Sequence, residues 1–154
     1  MNRLLAAGRT GVLVWAALLG ASLTAGAAHA SEAGKARYQY ILNCAGCHQA
    51  DGSGAKSGGV PTMRGQIGHF AGIPEGRDFL VKVPGTSNSA LNNADIARML
   101  NWMLQAFSAE TLPADLAPYT EAEVSRLRSQ PLSDVSAARR AIVSKLAERG
   151  VRIE

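Results

Sequence analysis

Five consecutive residues, Cys44-Ala45-Gly46-Cys47-His48, constrain this 154-residue chain more than any other stretch. Two thiols held two residues apart can reach both vinyl groups of one porphyrin as thioethers, and the imidazole that follows at once can place a nitrogen on its iron. The pattern therefore predicts one covalent haem c with its iron, attached through Cys44 and Cys47, with His48 as the proximal axial ligand. Two other chemistries use a C-x-x-C pair. A structural zinc site needs four ligands, and outside the motif the chain has no Cys and only His29 and His69. A dithiol oxidoreductase expects a βαβ context around the pair. Here a glycine-rich loop, Gly52-Ser53-Gly54 through Gly58-Gly59, follows His48 instead.

The first thirty residues bear on the compartment. Arg3 and Arg9 form a basic start, Gly11 to Ala27 is apolar without a charge, and Ala28-His29-Ala30 reads as an A-x-A cleavage site before Ser31. This is the pattern of a secretory signal peptide over residues 1–30, and it predicts export to the periplasm. An uncleaved anchor is the other reading, but a run of about 17 residues rich in Gly and Ala is short for a bilayer. No stable membrane anchor is expected after cleavage. A C-x-x-C pair in an oxidising space would otherwise form a labile disulfide, which haem attachment avoids.

Residues 31–154 suffice for one domain with a single core. Losing Arg3 and Arg9 removes two of the 16 basic residues and none of the 12 acidic ones, so the mature chain is closer to neutral than the whole sequence suggests. No Lys/Arg cluster interleaved with aromatics is present, so nucleic-acid binding has no support.

The chain reads as all-α. Ser31 can cap a helix over about 32–43, with Gly34, Tyr38, Ile41 and Leu42 at helical spacing before Cys44. A longer helix carries Ile96, Met99, Leu100, Met103, Leu104 and Phe107 as one apolar stripe. Asn92 with Asp95 resembles a capping box with shortened side chains.

Over residues 31–108 the chain resembles the class I c-type cytochromes, the small monohaem electron carriers of bacteria. Gly34-x-x-x-Tyr38 is similar to the family's glycine and aromatic where the first and last helices cross, with Met99 and Trp102 as their partners. Leu91-Asn92-Asn93-Ala94-Asp95-Ile96 looks like the start of the family's last helix, and Val60-Pro61-Thr62-Met63-x-Gly65-Gln66 resembles its P-x-L-x-G-Q stretch. The resemblance implies a haem between N-terminal and C-terminal helices. It also implies that the Pro61 carbonyl accepts the His48 Nδ1 proton, so that Nε2 faces iron.

The chain departs from the family at the sixth ligand. The family's methionine falls near Val83 or Pro84, and neither is a methionine. The candidates left open are His69, Met63 and Lys82. Each has a plainer reading: a hydrogen-bonded histidine, a core methionine and a solvated charge. Met99 and Met103 belong to the apolar stripe.

Residues 109–154 lie outside the resemblance and read as a C-terminal helical extension. After Leu112-Pro113 and Ala117-Pro118, the box Thr120-Glu121-Ala122-Glu123 opens a helix that Pro131 ends. A second helix from about Ser133 lines up Val135, Ala138, Ile142, Val143, Leu146 and Val151. The pair is expected to pack across the preceding domain and cover apolar surface, with docking of a partner as the other role.

The expected function is a periplasmic electron-transfer protein, not an enzyme, since no nucleophile–base pair is visible. It would exchange single electrons with a periplasmic redox protein, a dehydrogenase or an oxidase. A five-coordinate haem protein that binds a small ligand, and a cytochrome subunit held in a dehydrogenase complex by the extension, are the alternatives.

Overall fold

Residues 31–43 are helical (α1), and the chain turns at Cys44 into the one-turn helix α2, Ala45–His48, in the computed structural model, which describes residues 31–154. The expected signal peptide lies outside the described residues. Contacts group residues 36–154, extension included, into one unit.

The face of α1 that turns inward differs from the expected one. Ala36 and Tyr40 are fully buried, whereas Tyr38 is 64% exposed. Among the described residues, a Cβ added at Gly34 would meet nothing within 4 Å, and Tyr40, not the exposed Tyr38, is the aromatic that packs on Trp102. The reason is helical register. Residues 36, 40 and 44 share a face at i, i+4 spacing, and Cys44 packs against the main core, so Ala36 and Tyr40 must turn inward with it.

The long helix α6, Asn93–Ser108, is the other half of that core. Asn92 caps it, its side chain accepting the Asp95 N–H at 2.8 Å. The predicted stripe is the buried one: Ile96, Met99, Leu100, Met103 and Leu104 are all buried. Tyr40 packs on the rings of Trp102 and Phe107, with centroids 5.5 and 5.1 Å away.

Between them lie three helices that periodicity did not mark: α3, Ile67–Ala71; α4, Pro74–Lys82; and α5, Pro84–Ser87. Proline opens both α4 and α5, where its missing N–H costs no helical hydrogen bond.

The extension forms α7, Glu121–Arg128, and α8, Val135–Glu148. Thr120 caps α7 as expected, accepting the Glu123 N–H at 3.2 Å. The second helix, expected from about Ser133, starts at Val135, where Asp134 supplies the cap, accepting the Ala137 N–H at 2.8 Å. Both helices cover apolar surface. Val124 and Leu127 of α7 enter the main core, while Ile142 and Leu146 of α8 close a second core with Phe70, Ile73 and Phe79.

Polar contacts fix the extension further. Arg77 of α4 donates to both carboxylate oxygens of Glu123, at 2.6 and 2.7 Å, and stacks over the Tyr119 ring at 4.0 Å. Asn101 of α6 pairs with both backbone groups of Tyr119, at 2.7 and 3.0 Å. Residues 109–154 are thus an integral layer and not a tethered appendage.

Candidate functional site

Cys44, Cys47 and His48 lie on one helical turn at the end of α1. The Cys44 N–H donates to the Tyr40 carbonyl at 2.8 Å, and the His48 N–H to the Cys44 carbonyl at 3.0 Å. The two thiols differ in setting. Cys44 is half-buried with its Sγ 3.8 Å from the Met99 Sδ, and burial pushes its pKa up to about 11. Cys47 is exposed. Raised thiol pKa values suppress the thiolate needed for disulfide exchange, so Cys44 is poorly suited to a dithiol redox reaction and compatible with permanent thioether linkage.

His48 is turned so that its Nδ1 is buried without a hydrogen bond of good geometry. Burial lowers the pKa of the imidazole, and the nearby Pro61 carbonyl acts in the opposite direction by favouring a proton on the ring. The Pro61 carbonyl thus lies close enough to act on the imidazole, although Nδ1 itself has no hydrogen-bond partner here.

The loop that brings Pro61 behind His48 is shaped by backbone hydrogen bonds. Gly54 N–H donates to the His48 carbonyl at 3.0 Å, and Met63 N–H to the Gly52 carbonyl at 2.8 Å. Gly54 sits at φ +73°, and a Cβ there would lie 2.6 Å from the Val60 and Pro61 carbonyl oxygens. Only glycine fits this approach. At the end of the motif Gln49 has φ 64°, and its carbonyl accepts the Tyr40 hydroxyl at 2.5 Å. The donor set, the inward Nδ1 and the close loop fit a haem held by Cys44, Cys47 and His48.

The remaining candidates come from three different segments. Met63 is buried in the main core with Tyr40 and Met103. His69 is half-buried on α3. Lys82 ends α4 and pairs with Asp78 at 3.1 Å, and its side chain lines a groove with Glu75, Leu132 and Lys145 between α4 and α8. Val83 and Pro84 form the junction of α4 and α5.

Two residues that order this fold were not singled out from the sequence. Tyr40 was the missed aromatic, though its position four residues before Cys44 was a usable signal. Arg128 carries no mark in the sequence, since three of its four acceptors are backbone carbonyls and the fourth is the Asn93 Oδ1.

A helical turn offering two thiols and an imidazole, backed by a carbonyl and set against an all-helical core, defines a protein that carries a covalent haem. The chain belongs to the cytochrome c family, whose profile matches residues 31–107. It is similar to cytochrome c-552 of Thermus thermophilus, 28% identical over 108 residues that cover 58% of this chain and 82% of that protein. A second cytochrome c-552, also from Thermus thermophilus, matches at the same 28% over 108 residues and is covered to 72%. No solved structure matches significantly. Membership brings covalent haem c with its iron, and the role of an electron carrier, not an enzyme. The family match ends inside α6, so α7 and α8 are additions to it.

Proposed function

We propose that the protein is an exported, periplasmic monohaem cytochrome that carries single electrons from a periplasmic dehydrogenase to a terminal acceptor. In this reading Cys44 and Cys47 form the thioethers, His48 is the proximal ligand, and the Pro61 carbonyl accepts its Nδ1 proton. The observation that carries the site assignment is the turn at Cys44–His48, with His48 Nδ1 buried and unpartnered and the Pro61 carbonyl close to the imidazole. When bound, haem supplies a one-electron iron couple. The chain's part is to anchor it at two points, fix the tautomer of His48 and exclude water with the core of α1 and α6. The apolar core against which Cys44 packs, Met99 and Leu100 among its residues, would favour the less charged ferrous state of a haem bound there.

Absorption spectra of the purified holoprotein, oxidised and reduced, test this reading. One reversible haem c couple that is reduced by a periplasmic dehydrogenase and oxidised by an acceptor is expected. A haem that reacts with neither class of partner would contradict it.

A second reading, a haem that binds a small ligand such as NO or CO, draws on one observation. The α4–α5 junction at Val83 and Pro84 carries no methionine, and Lys82 beside it is paired with Asp78. Rapid CO binding by the reduced wild-type protein would favour it. A role as a docked dehydrogenase subunit predicts co-purification with that enzyme, although the extension's apolar residues pack on its own domain.

A further inference from the structure

The last residues of the extension return to the loop behind His48. Gly150 turns the chain at φ 78° after α8, and the Val151 N–H donates back to the Leu146 carbonyl at 3.0 Å. Beyond that turn Val151 and Ile153 pack on the second core, while Arg152 between them is exposed. Glu154 is then gripped by both of its main-chain groups. Its N–H donates to the Gln66 Oε1 at 3.2 Å, and its main-chain oxygen accepts from the Arg139 Nη2 at 2.9 Å. Arg139 belongs to α8, and its guanidinium lies 6.0 Å from the ring centroid of Phe70 in α3. Arg139, Glu154 and Gln66 thus form a strut from the extension to the start of α3.

Gln66 closes the stretch that begins at Val60. Its N–H donates to the Met63 carbonyl at 3.1 Å, and the Met63 N–H donates to the Gly52 carbonyl at 2.8 Å. On its inner side the Pro61 carbonyl oxygen lies 2.6 Å from where a Cβ of Gly54 would be, and the Gly54 N–H is bonded to the His48 carbonyl at 3.0 Å. On its outer side Pro61 shares a cavity of about 400 Å³ with Val60, Thr62, Arg139 and Glu154. A void of that size leaves the outer face of the loop without close packing, so the position of the loop depends on what holds its ends.

We propose that Arg139 is a positioning residue: through Glu154 and Gln66 it holds residues 60–66 so that the Pro61 carbonyl stays within reach of the His48 Nδ1, and by this route the extension sets the balance between ferrous and ferric haem. The proposal rests on the haem and Pro61 assignments above. An acceptor on the Nδ1–H makes an imidazole a stronger donor to iron and favours the ferric state. Slackening the strut weakens that hydrogen bond and favours the ferrous state. Loss of a nearby cation has the opposite sign, because removing positive charge favours the more positive ferric centre.

The test is the ferrous-to-ferric ratio of the holoprotein poised against one redox mediator, in wild type, Arg139→Leu, Gln66→Leu and the double variant. The exchange of the His48 Nδ1–H with solvent, followed by NMR in the ferrous state, is measured alongside. Each single variant should raise the ratio at least about threefold and speed the exchange at least about fivefold, and the double variant should add little, since both residues act through one strut. Glu123→Gln, which loosens the contact of α7 with α4, is the control for general destabilisation. It should lower the thermal midpoint and leave the ratio unchanged. An unchanged ratio in either single variant, a ratio that falls in Arg139→Leu, shifts that add in the double variant, or an equal shift in Glu123→Gln would overturn the proposal while leaving the haem assignment intact. A wild-type Nδ1–H that exchanges as fast as that of a free imidazole would overturn the Pro61 assignment and the proposal with it, and a wild-type protein without covalent haem would overturn all three.

Discussion

The Tyr40 hydroxyl donates a 2.5 Å hydrogen bond to the carbonyl of Gln49, so the first helix holds the residue that follows His48. The same ring packs on Trp102 and Phe107. One side chain thus joins the crossing of α1 and α6 to the end of the haem-binding turn. Tyr40→Phe keeps the packing and strands the carbonyl, and should cost about 1 kcal/mol in urea unfolding of the holoprotein. Burial first, with the charges of a free Cys44 thiolate and of Asp51 adding to it, pushes the phenol from 10.0 up to about 12, and burial, the largest cause, remains when Cys44 is an uncharged thioether. The folded pKa is raised, so this contribution is complete below the ordinary tyrosine pKa and is lost as pH rises from about 10 to 12. Wild type should therefore lose stability more steeply than Tyr40→Phe across that window, and parallel curves would contradict the assignment.

Helical register makes opposite predictions at neighbouring small residues. Among the described residues nothing approaches Gly34, so Gly34→Ala should stabilise by about 0.5–1 kcal/mol through helix propensity, and Gly34→Val should not crowd a crossing. Ala36 is fully buried, and Ala36→Leu should destabilise by about 1–3 kcal/mol through overpacking. Trp102→Ala should cost about 3 kcal/mol, since it removes a half-buried ring from Tyr40 and Phe107. Denaturant midpoints of the four variants decide the register. Destabilisation at Gly34 with tolerance at Ala36 would restore the crossing expected from the sequence.

The Arg77–Glu123 pair fastens the extension to α4, with side chains 17% and 19% exposed. Its coupling in a double-mutant cycle should be about 1–3 kcal/mol, above that of an exposed pair. The hydrogen bond from Arg77 holds the Glu123 carboxyl below its ordinary 4.5, against the opposing effect of burial. A depressed carboxyl stabilises above that ordinary value and loses its contribution as pH falls through the folded pKa. The thermal midpoints of wild type and Glu123→Gln should differ at pH 7 and converge below about pH 4.5. A gap that persists in acid would show that the pair does not carry the effect.

What could be read from the sequence was local in origin. Cys44–His48 carries its chemistry in five adjacent residues, and the stripe from Ile96 to Phe107 repeats often enough for its buried face to be unambiguous. Tyr38 and Tyr40 are both aromatic residues of one helix, and what separates them is the distant requirement that Cys44 face Met99. Helices α3 to α5 are short and interrupted by Gly and Pro, so no period could develop. The Thr120 cap was legible, whereas the Arg128 cradle depends on carbonyls that only the folded loop brings together.

The sixth iron position leads to a spectroscopic prediction. Met63 is enclosed in the core and Lys82 is paired with Asp78, so neither is free to move to iron without breaking contacts. No far-red sulfur-to-ferric-haem charge-transfer band is expected. His69→Ala should then convert a low-spin ferric spectrum to a high-spin one if His69 is the ligand. An unchanged low-spin spectrum would point to Lys82, and a high-spin wild type to an open site. A charge-transfer band lost in Met63→Leu would place the Met63 sulfur on iron.

The central claim is that Cys44 and Cys47 hold one haem by covalent bonds while His48 presents Nε2 to its iron. The most direct measurement is the intact mass of the exported protein under denaturing conditions, for wild type and for Cys44→Ala/Cys47→Ala. The wild-type mass should equal the chain from Ser31 plus one haem, because thioethers survive unfolding, and the double variant should carry none. A wild-type mass equal to the bare polypeptide would contradict the account.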